Sequence, residues 1–515
     1  MPALASQAHD QSRPTSRKKY PDAEAKDSTM PDRFQNYIAG AWVDPSTEEY
    51  VASINPADNS DIIGEFPSSS PGDAASAISA ADEAFKSWGK SSGVGRGGYL
   101  NAAATWLTAN SEEFAQAITR EAGKAILEAR GEVGRAVAIL QYYGAEGMNP
   151  VGDVVPSVDP NILLYSRRVP LGVVALITPW NFPLAIPLWK MAPALVYGNT
   201  IALKPASATP HVANLIAKMW EAVDLPAGVF NHVSGSGRNI GNELVGNVRT
   251  RAISFTGSTP VGRGIAVEAA RQNKKYQLEM GGKNPVIVLE DANLEQAAEI
   301  TVAGAMKYSG QKCTATSRAI VVSGVMQEFT DLVVAKTEAL GIGAGSDPAN
   351  VIMPLIDEDS RKNVVDSVGR AVSEGGNVLT GGEIASGGGL DNGHFVKPTV
   401  MNNVAPDSFI ACEEVFGPVL GIIPASDVDD ATFIANNVAY GLSAGIFTSN
   451  LNAALDFANN IEAGIVKVNG ETAGVEPQVP FGGMKDSSSG SREQGKAAVE
   501  FFTEMKTIYI DRSAT

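Results

Sequence analysis

Short runs of aliphatic and β-branched residues alternate with longer segments of helical period along most of this chain, and that alternation sets the expected fold. Gly172 to Ile177, Thr200 to Lys204, Val229 to Ser234, Ala252 to Thr256 and Pro285 to Leu289 read as buried strands. A second series follows at Arg318 to Val322, Val419 to Pro424, Gly445 to Thr448 and Gly464 to Asn469. Strands interleaved with helices build doubly wound parallel sheets, so the expected class is α/β. Ahead of them, Pro71 to Trp88, Gly95 to Gly123 and Ala125 to Tyr143 repeat apolar residues at helical spacing and are expected to pack as helices on a sheet. Gly40, Pro45 and Pro56 punctuate a short opening hairpin over Gln35 to Trp42 and Asp44 to Asn55. Val154, Val155, Ile162, Leu163 and Leu164, with a turn at Asp159-Pro160, predict a protruding hairpin that needs a partner surface.

The longest apolar stretch, Val169 to Trp189, is broken by Pro170, Pro179, Asn181, Pro183 and Pro187. A buried strand leading into a functional loop explains it better than a membrane span. At 515 residues, 44% hydrophobic and 19% charged, the chain is expected to be a soluble globular protein of more than one domain. A net charge of -17 repels phosphate backbones and argues against nucleic acid as a partner. Two cysteines, Cys313 and Cys412, give no disulfide framework and suit a reducing cytoplasm. No paired His/Cys spacing suggests a metal. Residues 1–31 are polar, mixed in charge and without the apolar core of a signal peptide, and read as a disordered tail in which Met30 looks like a start in its own right.

Several clusters carry possible chemistry. In PWNFP, Asn181 either caps a following helix or aims an amide N–H at a developing oxyanion. In ALKPAS, Lys204 is a surface charge or, at the carboxyl edge of a parallel sheet, a contact for ribose and phosphate. FTGSTPVG, Phe255 to Gly262, apposes strand, glycine turn and helix start, which suits a pyrophosphate on backbone N–H groups and Ser258 although the spacing is not GxGxxG. In LEMGGKNP, Glu279 is an ordinary strand-end carboxylate or a base raised by an apolar setting, with Gly281 and Gly282 permitting close backbone approach. In SGQKCTATSR, Cys313 is an inert core thiol or a nucleophile in a small-residue loop. Cys412 reads as structural.

Taken together and in order, PWNFP, KPAS, FTGSTPVG, LEMGGKNP, GQKCTA, EEVFGP and PFGGMKDSSSGSREQG resemble the aldehyde dehydrogenase superfamily from about Phe34 to Ile510. The resemblance implies a nicotinamide-binding domain over 32–147 and 169–281, an α/β catalytic domain over 282–480, and a small β oligomerisation element from 148–168 and 498–515. It implies a homodimer or homotetramer. Cys313 is then the nucleophile that forms a thiohemiacetal, Asn181 and the Cys313 backbone N–H hold the oxyanion, and Glu279 is the base that hydrolyses the thioester. Lys204 and Glu414 are expected at the cofactor riboses, Ser258 at the pyrophosphate and Phe416 at the nicotinamide. Thr178, Pro179, Trp180, Gly241, Phe255 and Gly257 complete the cofactor set.

Many NAD-preferring members carry a Glu where this chain has Ser207. Ser207 removes the repulsion of a 2′-phosphate, so NADP is expected to be accepted alongside NAD and to be favoured. GQKCTATSR and the segment from Asn469 to Gly495 look most like the 2-oxoglutarate semialdehyde (2,5-dioxopentanoate) dehydrogenases, with succinate semialdehyde and aromatic aldehyde dehydrogenases as rivals. The same pattern expects Leu184, Ile186, Trp189, Lys312, Thr314, Pro480 and Phe481 around the aldehyde. A Cys-His hydrolase would need a histidine base that none of the four histidines supplies in a recognisable signature, and a non-enzymatic relative would typically have lost the cysteine.

Overall fold

The computed structural model describes residues 31–513, so the tail expected at 1–31 lies, apart from Pro31, outside the described residues. Two parallel sheets organise the chain. The middle of the eight-stranded sheet runs in the spatial order Phe230–His232, Thr200–Lys204, Val173–Ile177, Thr250–Thr256, Lys275–Glu279, all parallel. The chain winds outward from Val173–Ile177 to one side, then returns to Thr250–Thr256 on the other. That reversal opens a crevice at the carboxyl ends of these two strands, where doubly wound sheets bind ligands. Antiparallel strands close both edges, Asn36–Ile38 at one and Ser488–Ser489 at the other.

The seven-stranded sheet runs Asn377–Thr380, Thr399–Asn402, Val419–Ala425, Thr316–Val322, Asn284–Val288, Ser443–Phe447, Ile465–Val468, and is parallel except for its first strand. The run read at Pro285 to Leu289 thus opens this second sheet and does not close the first. Lys275–Glu279 completes the first sheet's parallel set instead; its sequence, KYQLE, carries too few aliphatic residues to read as a buried strand. Strands such as Val173–Ile177 and Asn284–Val288 are buried at every position, which is why they read as continuous apolar runs. Each such side chain contributes about 1.5–3 kcal/mol of burial.

The opening hairpin is shorter than expected: Asn36–Ile38 pairs with Ala41–Val43 around Gly40, while Tyr50–Ile54 pairs onward with Ile62–Pro67. The segment read as one helix from Gly95 to Gly123 is two, Gly93–Ala109 and Ser111–Ala122, broken at Asn110, whose side-chain amide donates to the Trp106 carbonyl at 2.8 Å. Val154–Val155, Ile162–Pro170 and Thr503–Asp511 form a three-stranded antiparallel sheet apart from the other two. No helix among the described residues is long and apolar enough to cross a membrane.

Candidate active site

Asn181 stands in the loop between strand Val173–Ile177 and helix Ala185–Val196. That loop is held from below by a buried pair. Glu132 accepts from the backbone N–H groups of Leu184 and Ala185, each at 3.0 Å, and pairs with Lys124. Lys124 Nζ donates to the Asn181 carbonyl at 2.8 Å and lies over the rings of Phe182 and Tyr308. A buried ion pair is tolerated only when its remaining valences are filled, and here they are. The Asn181 side chain donates one N–H to the Gln311 carbonyl at 3.0 Å, and its Oδ1 is buried without a partner. The amide has a second N–H to give.

Cys313 follows a backbone that only tertiary contacts can hold. Helix Leu294–Met306 stops, and Tyr308, Ser309 and Gly310 all take left-handed φ values of 54°, 49° and 68°. Two of them are not glycine, a strain of about 1–3 kcal/mol each. The Ser309 hydroxyl donates to the Met353 carbonyl at 2.6 Å and accepts from the Met353 N–H at 2.8 Å, and the Gln311 amide spans Pro354 and Ile356. Asn284 ties the Glu279 loop to the cysteine loop, donating to the carbonyls of Cys313 and Ala315 at 2.8 and 2.9 Å.

The two glycines after Glu279 have separate steric reasons. A Cβ at Gly282 would stand 2.5 Å from the Cys313 carbonyl oxygen, and one at Gly281 would stand 2.5 Å from Glu414 Oε2. Glu414 in turn accepts from the Gly282 N–H at 3.0 Å. The cysteine, the glutamate strand and Glu414 are therefore packed at backbone contact distance, which only glycine permits.

The electrostatics follow from that crowding. Burial, then the carboxylates of Glu414 and Glu279, push the Cys313 thiol up to about 12, which the backbone N–H groups of Cys313 and Thr314 only partly offset. Glu279 is 2% exposed. Its Oε2 accepts from the Ser488 hydroxyl at 2.6 Å, while Oε1 is buried without a partner. Burial, then Glu493, hold its carboxyl well above the usual carboxylate range. Behind it Glu493 pairs with Lys190, accepts from Trp189 Nε1 at 2.7 Å and from the Ser254 hydroxyl at 3.2 Å. Sequence reading missed Glu493, Lys190 and Ser488; the segment that carries Glu493 had been flagged only as part of a motif.

A cavity of about 540 Å³ opens above Cys313. Ile186, Trp189, Lys312, Thr314 and Phe481 line it, together with Arg135, Glu128, Phe182 and Val475, which sequence reading did not name. Two expected wall residues are elsewhere. Leu184 is fully buried in the core beneath the loop, and Pro480 is exposed.

The expected cofactor residues gather along the crevice of the first sheet. Lys204 ends its strand buried, donates only to the Pro205 carbonyl at 2.8 Å, and burial lowers its ammonium to about 8. The hydroxyls of Thr178 and Thr256, at the ends of the two central strands, are buried and unpaired. Ser258 precedes helix Thr259–Arg271 without capping it, leaving that helix start open. A Cβ at Gly257 would strike the Phe255 ring at 2.6 Å, so the turn hugs the strand. Gly241 lies beside the Lys204 side chain, and Ser207, exposed, donates to the Gly235 carbonyl at 3.2 Å. Pro179 leads to Trp180, whose ring meets Phe416 edge-on at 5.5 Å, and Phe416 holds a left-handed φ of 58°. Burial pushes the Glu414 carboxyl up to about 7. A buried cation with no acid partner, two orphaned hydroxyls and an open helix start fit an anionic dinucleotide.

Comparison with known proteins bears on this arrangement. The profile described as "Aldehyde dehydrogenase family" matches residues 42–508. The chain is 46% identical to an alpha-ketoglutaric semialdehyde dehydrogenase of Bacillus subtilis, over 94% of this chain and 99% of that one. It is 43% identical to an alpha-ketoglutarate semialdehyde dehydrogenase of Haloferax volcanii, over 93% and 99%. A crystal structure of Staphylococcus aureus betaine aldehyde dehydrogenase in complex with NAD+ superposes with a TM-score of 0.91 at 30% identity, covering 93% of this chain and 94% of that one.

Proposed function

The chain belongs to the aldehyde dehydrogenase family, and from that premise we propose that it oxidises 2-oxoglutarate semialdehyde to 2-oxoglutarate through an adduct on Cys313. The observation that carries the reading is the meeting of Cys313, Glu279 and the Asn181 loop, distant in sequence: Cys313 and Phe182 of that loop line one cavity, and Glu279 lies close enough to Cys313 for their charges to act on one another. The likeness to the two semialdehyde dehydrogenases supports the substrate.

With burial and the neighbouring carboxylates holding the thiol up at about 12, the protonated thiol is the dominant form at neutral pH. The proton must therefore leave as the sulfur attacks. Glu279, whose burial raises its proton affinity, takes it, since this crowded site carries one negative charge more readily than two. The oxyanion formed at the former carbonyl receives the free N–H of Asn181 and the Cys313 backbone N–H. When bound along the crevice, a nicotinamide cofactor would supply the hydride acceptor. Once that proton has passed to solvent, Glu279 deprotonates the water that attacks the thioester and returns this second proton to the departing sulfur as the acid is released. Lys204, Ser258 and Glu414 would hold the dinucleotide.

Ser207 places no carboxylate at the crevice, which supports acceptance of NADP. Initial rates of reduced-cofactor formation with 2-oxoglutarate semialdehyde, succinate semialdehyde and benzaldehyde, each with NAD and NADP, test both points. We expect the highest kcat/KM for 2-oxoglutarate semialdehyde, an NADP KM no higher than that for NAD, and a shift toward NAD of at least about tenfold in Ser207→Glu. Highest efficiency on benzaldehyde, or an NADP KM far above that for NAD, would sink the corresponding claim.

The separate three-stranded sheet exposes Val154, Leu163 and Ile510 on one face and Tyr509 on the other, apolar side chains that a second copy could cover. This supports a homodimer or homotetramer built through it. Light scattering should give a multiple of 53.8 kDa; a particle of one chain's mass refutes it.

A further inference from the structure

We infer that Arg135 is the residue that reads the substrate's carboxylate, making this cavity selective for aldehydes that end in an acid. The inference rests on the reaction proposed above.

Arg135 sits on helix Ile126–Glu146 with Glu128 and Glu132 on the same face, at helical spacing. Glu132 is consumed by Lys124 and two backbone N–H groups. Arg135 has no carboxylate within ion-pair distance among the described residues, although the charge of Glu132 still reaches it. Its one hydrogen bond goes to the neutral Gln494 Oε1 at 3.2 Å, and its Nε is buried with none. A guanidinium carries five N–H donors in a fork that matches a carboxylate. The group lies in the wall of the same cavity as Cys313, close enough for their charges to couple, with its carbon 5.4 Å from the centre of the Trp189 ring.

The other two cations of the cavity are paired or solvated. Lys312 pairs with Glu471 at 3.2 Å, and Lys307 is exposed to water. Glu128 would oppose an incoming anion, but burial pushes its carboxyl above the ordinary range and favours the neutral form. The remaining wall, Ile186, Trp189 and Phe481, offers apolar surface to a methylene chain. An aldehyde with an acid at its far end thus finds a thiol, an apolar passage and an unpaired cation in one cavity. An aromatic aldehyde leaves the cation unpaired.

The test compares wild type, Arg135→Met and Arg135→Lys on glutarate semialdehyde and on pentanal, the neutral aldehyde of the same length. Arg135→Met should raise KM for glutarate semialdehyde about 10- to 100-fold, the range of a hydrogen-bonded charge. Its kcat, and both constants for pentanal, should change little. Arg135→Lys, which keeps the charge and loses the fork, should fall between. Equal losses on both aldehydes, in whichever variant folds, would show that Arg135 only props Trp189 and would overturn the inference. A wild type that prefers the acid, with that preference intact in Arg135→Met, overturns it as well while leaving the proposed reaction standing. A wild type that does not prefer the acid overturns the proposed substrate and this role with it.

Discussion

Cys313→Ala is expected to abolish aldehyde-dependent formation of reduced cofactor, a loss on the order of 10⁴-fold or more, because no other side chain lining the cavity offers a thiol to form the thiohemiacetal. The fold should tolerate the change. Cys313 is only partly buried, and its loop is fixed through the Cys313 carbonyl, which accepts from Asn284, and through Ser309 and Gln311, not through sulfur. Stability should shift by no more than about 1 kcal/mol. The matched control is Cys412→Ala. That sulfur lies near the Pro406 carbonyl at 3.6 Å, away from the cavity, so activity should be unchanged. Initial rates with a saturating aldehyde decide the matter; a Cys313→Ala enzyme as fast as wild type would remove the nucleophile and the mechanism together.

What could be read from sequence tracks how local the cause is. Strands buried on both faces announce themselves as unbroken apolar runs, so Val173–Ile177, Thr200–Lys204 and Asn284–Val288 were legible from residue type alone. Lys275–Glu279 was not, because its burial comes from neighbouring strands and from Ser488–Ser489 folding back against it. The break at Asn110 was lost inside an Ala-rich stretch whose period continues across it.

The site divides the same way. Gly281 and Gly282 beside Glu279 signal close approach, but that one meets Glu414 and the other the Cys313 carbonyl appears only in three dimensions. Pairs such as Lys124 with Glu132, eight residues apart, and Lys190 with Glu493, 303 apart, leave no periodic trace, since each acid and each base alone looks like a surface charge. Arg135 is the extreme case. On an amphipathic helix it reads as a solvated position, and only its place in the cavity wall, with no ion pair among the described residues, sets it apart. Leu184 and Pro480 failed in the opposite direction: sequence adjacency to the site did not place their side chains in the cavity wall.

Glu279→Gln separates the two chemical steps that a shared base would otherwise blur. The amide keeps the shape of the carboxyl and can still meet the Ser488 hydroxyl, which now bonds Oε2 at 2.6 Å, but it cannot take a proton. Steady-state turnover should fall by about 10²–10⁴-fold, the usual contribution of a positioned base. If attack by sulfur still proceeds, pre-steady-state mixing should show a burst of about one reduced cofactor per chain, because the thioester forms and then stalls. Hydroxylamine, which attacks a thioester without help from a base, should restore turnover in the variant and scarcely affect wild type. The pH dependence has a definite sign. A base held well above the usual carboxylate range by burial and by Glu493 is protonated as pH falls, so wild-type kcat should drop on the acid side well before ordinary carboxylates titrate. That limb should vanish in Glu279→Gln. Unchanged kcat in the variant would move the base elsewhere; a loss with neither a burst nor hydroxylamine rescue would place the need for Glu279 at the attack by sulfur as well. Glu493, paired with Lys190 and receiving Trp189 and Ser254, has its oxygens engaged, whereas Glu279 Oε1 is buried without a partner among the described residues and its carboxylate acts on the sulfur.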